Sequence, residues 1–287
     1  PTRDSYYRSL EAQNELPRGF TGATRSFTFS SAERGTSDSL RMDLSLIAVE
    51  RPTSSVAAVT TTNRFPGAPV LLVREVLSSG EPVRGVVLNN KVANVGVPGG
   101  LDDAKRLAGA LEELSGAGSW LSLSTGVIGW RLPVERMMQE LPALYEARRE
   151  AAGVELAEAI MTTDRYPKLR RVDLGEGSVL GIAKGAGMIE PNLATMLSVI
   201  LTDYDLPRDT LSELLRRSVA KSFNRIGVDG EQSTSDVVLL ISSGVAGPIG
   251  KDRFADALEE VTGYLARHVV RNGEGTGHVV RVEVRGL

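Results

Sequence analysis

Thr195 follows Ala194 at the end of a loop running from Gly181 through Lys184 to a Pro191-Asn192 turn, and it opens a mostly apolar run, Met196 to Leu201. Small Ala194 leaves the carbonyl before Thr195 open to the Thr195 hydroxyl, and the turn is placed to strain that bond. If the Ala194–Thr195 peptide bond breaks, Thr195 carries a nucleophilic hydroxyl and a basic α-amine on one residue. A threonine opening a strand is more often a plain β-former, so this pattern needs support from elsewhere in the chain.

Other catalytic chemistries find little support in the residues present. Cysteine is absent, which removes disulfides, thiolate metal ligands and a cysteine nucleophile together. A Ser-His-Asp triad would have to use His268 or His278, and neither sits in a recognisable motif. Gly181-x3-Gly-x-Gly around Lys184 lacks the Gly-Lys-Ser/Thr of a phosphate loop. Ser124-Thr125-Gly126, at the end of an apolar run, is either an ordinary turn or a hydroxyl and backbone N–H aimed at an oxyanion. Met161-Thr162-Thr163-Asp164 reads first as a turn, and Asp229-Gly230-Glu231 lacks the further ligands of a calcium loop and reads as a turn too. Asn272-Gly273-Glu274-Gly275 puts one carboxylate on a glycine turn. No metal and no cofactor is expected from these residues.

The elements that must position these residues are mixed. Aliphatic runs predict strands over 44–49, 56–61, 70–73, 85–88, 120–123, 179–183, 196–202 and 237–241. Val280, Val282 and Val284, alternating with Arg281, Glu283 and Arg285, predict a half-exposed strand over 279–284. Leu107, Leu111 and Leu114 behind Asp102 and Asp103 predict a helix with acids at its positive end. Further helices are expected from Pro133, over 151–161, over 211–223 and over 254–270, and the polar stretch 31–39 reads as a loop. The class is α/β or α+β, with sheet layers covered by helices.

With 287 residues, 41% of them apolar, the chain has enough material for a large core. The formal net charge is -3, with acids and bases mixed along the chain, so no nucleic-acid partner is expected. No apolar run of 18 residues exists and Pro1 to Pro17 holds no signal-type apolar core. The expectation is a soluble cytoplasmic protein with no membrane contact.

Taken in order, seven short motifs change the odds on Thr195. They are Ser124-Thr125-Gly126-Val127-Ile128-Gly129, Ala159-Ile160-Met161-Thr162-Thr163-Asp164, Ala183-Lys184-Gly185-Ala186-Gly187-Met188, Ala194-Thr195-Met196-Leu197, Thr202-Asp203, Asp229-Gly230 with Ser233-Thr234 and Asp236, and Glu274-Gly275. Thr62-Asn63 and Ala68-Pro69-Val70 precede them. Over roughly residues 18 to 287 this series resembles the ornithine acetyltransferase (ArgJ) family, the bifunctional glutamate N-acetyltransferases of arginine biosynthesis. Ser235 stands where the family has Asn in a Ser-Thr-Asn-Asp run, and 89–100 keeps Ala93-Asn94 without the family's glycines. Family members extend well past the residue matching Leu287.

The resemblance implies an αββα-type sandwich forming one catalytic unit, cut between Ala194 and Thr195 into an alpha chain (1–194) and a beta chain (195–287). It implies that Thr195 takes an acetyl group from N-acetylornithine and passes it to glutamate or a related amino acid, with ping-pong kinetics. By residue matching, Thr125 and the Gly126 N–H form the oxyanion hole, and Thr162, Lys184 and Glu274 line the substrate site. It also implies a heterotetramer of two alpha and two beta chains. Two other readings stay open on the sequence alone. One is an amidohydrolase or aminopeptidase with the same nucleophile and water as acceptor; the other is a non-catalytic relative.

Overall fold

The computed structural model describes residues 2–34, 39–190 and 196–286. Thr195 and Ala194 therefore lie outside the described residues, as does part of the expected 31–39 loop.

Among the described residues nine strands form two sheets. The first holds β1 (Phe20–Phe29), β2 (Leu40–Thr53), β4 (Val83–Asn89) and β5 (Ser119–Ser124), in the order β1-β2-β4-β5. The second holds β3 (Val56–Thr60), β6 (Lys168–Asp173), β7 (Ser178–Lys184), β8 (Leu197–Asp205) and β9 (Val237–Pro248), in the order β3-β9-β8-β7-β6. Each sheet has one parallel pair, and each such pair needs a crossover helix. These are α3 (Gly100–Ser115) between β4 and β5, and α6 (Arg208–Lys221) between β8 and β9.

Strand alternation sorts the side chains into layers. Leu197, Val199 and Leu201 of β8 and Val237, Leu239 and Ile241 of β9 face Ile47, Val86, Leu88, Leu121 and Leu123 of the first sheet. The intervening Ile200, Val238 and Leu240 pack outward on α6 and on α7 (Lys251–Arg271). On the other outer face, Met42, Leu44, Val87 and Trp120 meet Leu107 and Leu111 of α3 and Met137 and Leu141 of α4 (Val134–Glu146). The result is the expected four-layer helix-sheet-sheet-helix sandwich. Burying each of these aliphatic side chains contributes roughly 1.5 to 3 kcal/mol, which offsets the cost of ordering the chain. Among the described residues no helix is long and apolar enough to cross a membrane.

Two expected strands are not formed. Val70–Val73 lies in α2 (Ala68–Ser79), not in a strand. Gly67 caps this helix, Pro69 occupies its first turn and Gly80, at φ 76°, ends it. Val70 and Val73 are buried three residues apart, and Val76 and Leu77 continue the same face. The stretch 279–284 forms no strand, and Val280 and Val282 are about 80% exposed. Alternation qualifies a segment for a ladder, but the ladder needs a neighbouring edge, and no described strand supplies one. Three elements were not anticipated: α1 (Arg3–Glu11), β1 and β6. Their short polar-rich sequences carry little apolar periodicity, and pairing and docking decide them. Expected helix ends shift by a few residues, as with α5 (Gly153–Ala159) inside the expected 151–161.

Candidate functional site

The strand register gathers the candidate residues at one end of the two sheets. In the second sheet Lys184 ends β7 opposite Leu197, and Leu197 pairs with Val237. Lys184, Met196 and Asp236 thus sit side by side at this end of the second sheet. In the first sheet Asn89 pairs with Ser124, so Asn90-Lys91 and Thr125-Gly126 leave β4 and β5 together. Between these ends lies a cavity of about 730 Å³, bordered by Thr125, Gly126, Thr162, Lys184 and Glu274. Five of the residues singled out in the sequence therefore share one cavity. Arg41, Asp43, Lys91, Glu158, Asp229 and the 233–235 segment also line it.

The Thr125-Gly126 corner is rigid. The Thr125 N–H donates to the Asn89 carbonyl at 3.0 Å, and the Val127 N–H donates to the Lys91 carbonyl at 2.9 Å. The Ser124 hydroxyl donates to Asn89 Oδ1 at 2.7 Å. Gly126 has φ 129°, and a Cβ there would lie 2.1 Å from the Lys91 carbonyl carbon, so only glycine fits. Among the described residues the Gly126 N–H and the Thr125 hydroxyl have no hydrogen-bond partner. Two donors on a fixed corner can serve an oxygen that acquires negative charge.

Asp164 ties the opposite wall together. One of its oxygens accepts from Lys168 Nζ at 2.5 Å and from the Gly185 N–H at 2.9 Å. The other accepts from the Thr162 N–H at 3.1 Å. Asn272 donates to Asp164 and accepts from the Arg165 N–H, which draws in the Glu274 loop. Burial pushes the Asp164 carboxyl up, but the Lys168 and Lys184 ammoniums outweigh it and hold it below its usual value. Thr163 donates its hydroxyl to Glu274 Oε1, and the Glu274 N–H donates to the Ala186 carbonyl at 2.7 Å. Lys184 is 4% exposed. Burial lowers its pKa, opposed by Asp164, Asp236 and Glu274.

Asp236 stands at the start of β9 and is fully buried. Its Oδ1 accepts from the Met196 N–H at 2.6 Å, while Oδ2 has no hydrogen-bond partner among the described residues. Burial pushes this carboxyl up to about 8, against the opposing pull of the Met196 N–H, Lys184 and Ser233. It is a carboxylic acid that stays protonated near neutrality, next to the residue that follows Thr195.

Sequence reasoning placed Asp164 and Asp236 inside motifs without seeing them as organising groups, and it passed over Lys168 and Lys91. Composition carries no sign of a buried Asp–Lys pair, since depth depends on the packed elements. Asp229 accepts from the Met188 and Ile189 N–H groups, so it fastens the loop after Lys184, as a turn residue does. Neither histidine borders the cavity: His268 stacks on Tyr264 at 4.1 Å, and burial lowers it to about 4. Among the described residues no cluster of His, Asp or Glu is arranged to hold a metal ion.

The ArgJ family model matches residues 28–287. The arginine biosynthesis bifunctional protein ArgJ of Geobacter sulfurreducens is 41% identical over 276 residues, covering 91% of this chain and 70% of that protein. The mitochondrial protein of the same name from Uncinocarpus reesii is 38% identical over 312 residues, covering 98% of this chain and 66% of that one. The chain thus spans about two thirds of the length of these relatives. The L-aminopeptidase D-Ala-esterase/amidase of Ochrobactrum anthropi, described as a variant of the Ntn hydrolase fold, superposes with a TM-score of 0.58 at 11% identity, over 92% of this chain and 88% of that one. That likeness is one of fold.

Proposed function

Because this chain belongs to the ArgJ family, we propose that it is a self-cleaving N-acyltransferase that moves an acetyl group from N-acetylornithine to glutamate or a related amino acid. Cleavage at Ala194–Thr195 divides the catalytic unit into residues 1–194 and 195–287, and two copies of each assemble as a heterotetramer. The observation that carries this reading is the shared cavity: Thr125, Gly126, Thr162, Lys184 and Glu274, far apart in sequence, border one space at the sheet end where Met196 is pinned. A scaffold has no physical need to bring an idle N–H, an idle hydroxyl, a buried lysine and a carboxylate to one place.

The steps follow from the chemistry of an N-terminal threonine. The Thr195 α-amine takes the proton from its hydroxyl as Oγ1 adds to the acetyl carbon of the donor. The Thr125 hydroxyl and the Gly126 N–H hold the oxyanion. Collapse breaks the amide C–N bond, the amine proton passes to the departing nitrogen, and Thr195 is left as an acetyl ester. Glutamate then adds through its own amine, its proton returns to Thr195 Oγ1, and N-acetylglutamate leaves. Lys184 serves a substrate carboxylate, and Glu274 serves an ammonium or the Thr195 amine. The free amine must be neutral to act. Its ordinary pKa of about 7.7 to 8.0 is lowered by a nearby Lys184 and raised by Glu274, so activity rises with pH and levels off near or above neutrality.

A denaturing gel with intact-mass analysis tests the reading. The wild type is expected as two bands of about two thirds and one third of the mass, and Thr195→Ala as one. Donor alone should add one acetyl to the smaller fragment. An intact wild type after long incubation, or no acetyl adduct, would refute the processed nucleophile. Free acetate without N-acetylglutamate would assign a hydrolase instead.

A further inference from the structure

Among the described residues three cations border the cavity: Arg41, Lys91 and Lys184. Arg41 is engaged by Asp43, its Nε donating at 3.1 Å. Lys184 is buried in the field of Asp164, Asp236 and Glu274. Lys91 is exposed and, among the described residues, has no carboxylate within ion-pair distance. Asp43, the nearby acid of the same wall, is already taken by Arg41 and by Asn90 Nδ2 at 3.0 Å.

The backbone under Lys91 is unusual. Its φ is 77°, left-handed, a conformation that glycine reaches freely and that a residue with a Cβ adopts at a cost. The fold holds it there. The Val127 N–H donates to its carbonyl, the Val92 N–H donates to the Asn90 carbonyl at 3.0 Å, and Gly126 packs directly against its peptide. A glycine would satisfy all of these contacts, so the lysine side chain adds nothing to this corner's backbone, and a costly conformation at a cavity wall points to use of the side chain. The side chain starts from a rigid point beside the Thr125-Gly126 corner.

Resting on the acyltransferase reading above, we propose that Lys91 is a specificity-determining residue whose ammonium takes the side-chain carboxylate of a dicarboxylic amino-acid acceptor. The acceptor's α-amine must reach the acyl ester, and its α-carboxylate, one carbon away, enters with it towards the buried Lys184. The side-chain carboxylate lies further along the molecule, and Lys91 is the exposed cation of the wall left without an acid partner among the described residues.

The test compares acyl transfer from N-acetylornithine to glutamate and to glutamine, which has the same shape without the charge. Wild type, Lys91→Met, Lys91→Gly and Lys91→Arg are assayed for kcat/KM with each acceptor, and thermal melts are recorded. The wild type should favour glutamate. The preference should fall by about 10-fold or more in Lys91→Met and Lys91→Gly, the loss expected for one charge-assisted bond, and Lys91→Arg should restore most of it. Lys91→Gly should melt at or above the wild-type temperature, which separates lost recognition from lost folding. An unchanged glutamate-to-glutamine ratio in an active Lys91→Met enzyme overturns the role of Lys91 and leaves the acyltransferase reading standing. Equal losses with both acceptors also overturn it. No transfer to either acceptor by the wild type overturns the reading on which the proposal rests.

Discussion

The stability of Asp236→Asn relative to the parent should rise as the pH rises from about 4 to about 8. The side chain is fully buried, and burial pushes its carboxyl from 3.8 to about 8. In the folded state it therefore holds its proton across this range, whereas in the unfolded chain it ionises near 3.8. Unfolding releases that proton, so rising pH favours the unfolded chain. The contribution of the protonated group is fully present below about pH 4 and is lost by about pH 8. A shift of about 4 units corresponds to roughly 5 to 6 kcal/mol at 1.36 kcal/mol per unit, and relaxation and water entry reduce this to a few kcal/mol. Asparagine keeps an oxygen for the Met196 N–H, a bond of 2.6 Å in the parent. Its amide, like the carboxylic O–H it replaces, finds no acceptor among the described residues where Oδ2 lies without a partner, and its second N–H adds a pH-independent cost of about 1 to 3 kcal/mol. The difference between the two proteins should thus begin near zero or unfavourable at about pH 4 and turn in favour of asparagine by about pH 8. Urea unfolding followed by circular dichroism, at several pH values and with Thr195→Ala in both proteins to prevent cleavage, measures it. A stability difference that stays flat with pH would refute the claim that this carboxyl is held neutral by burial.

Three further outcomes follow from the same geometry. Thr125→Ala should lower kcat by about 10² to 10³ if it removes an oxyanion donor, while Lys184→Ala should mainly raise KM, by about 10-fold or more; equal small effects on both constants in steady-state assays would separate these residues from the chemistry. Gly126→Ala places a Cβ 2.1 Å from the Lys91 carbonyl carbon at φ 129°, so it should cost at least about 2 kcal/mol in denaturant unfolding, and a variant as stable as the parent would refute the close packing of that corner.

Much of the fold was legible where periodicity is local. The helix behind Asp102-Asp103 declares itself because one buried face repeats along the chain, and the apolar runs of β8 and β9 because both of their faces are buried. Val70–Val73 misled because four aliphatic residues fit either a strand or one turn of helix; the Gly67-Ala68-Pro69 start and the Gly80 stop decided it. The valines of 279–284 misled for the opposite reason, a sound pattern with no described partner strand.

By itself, the sequence determined which chemical groups are available and their order: no thiol, two histidines without motifs, and hydroxyl, lysine and carboxylate motifs in the series of one family. These are properties of residue type and short-range spacing, and the chain carries them before it folds. Only the tertiary structure decided which of them meet. The register of β7, β8 and β9 aligns Lys184, Met196 and Asp236, and the parallel exit of β4 and β5 sets Lys91 against Gly126. Burial then makes Asp236 a neutral acid and encloses Lys168 with Asp164, while Lys91 is left exposed. Depth, field and pairing depend on groups brought from distant parts of the chain, and no local run of residues encodes them.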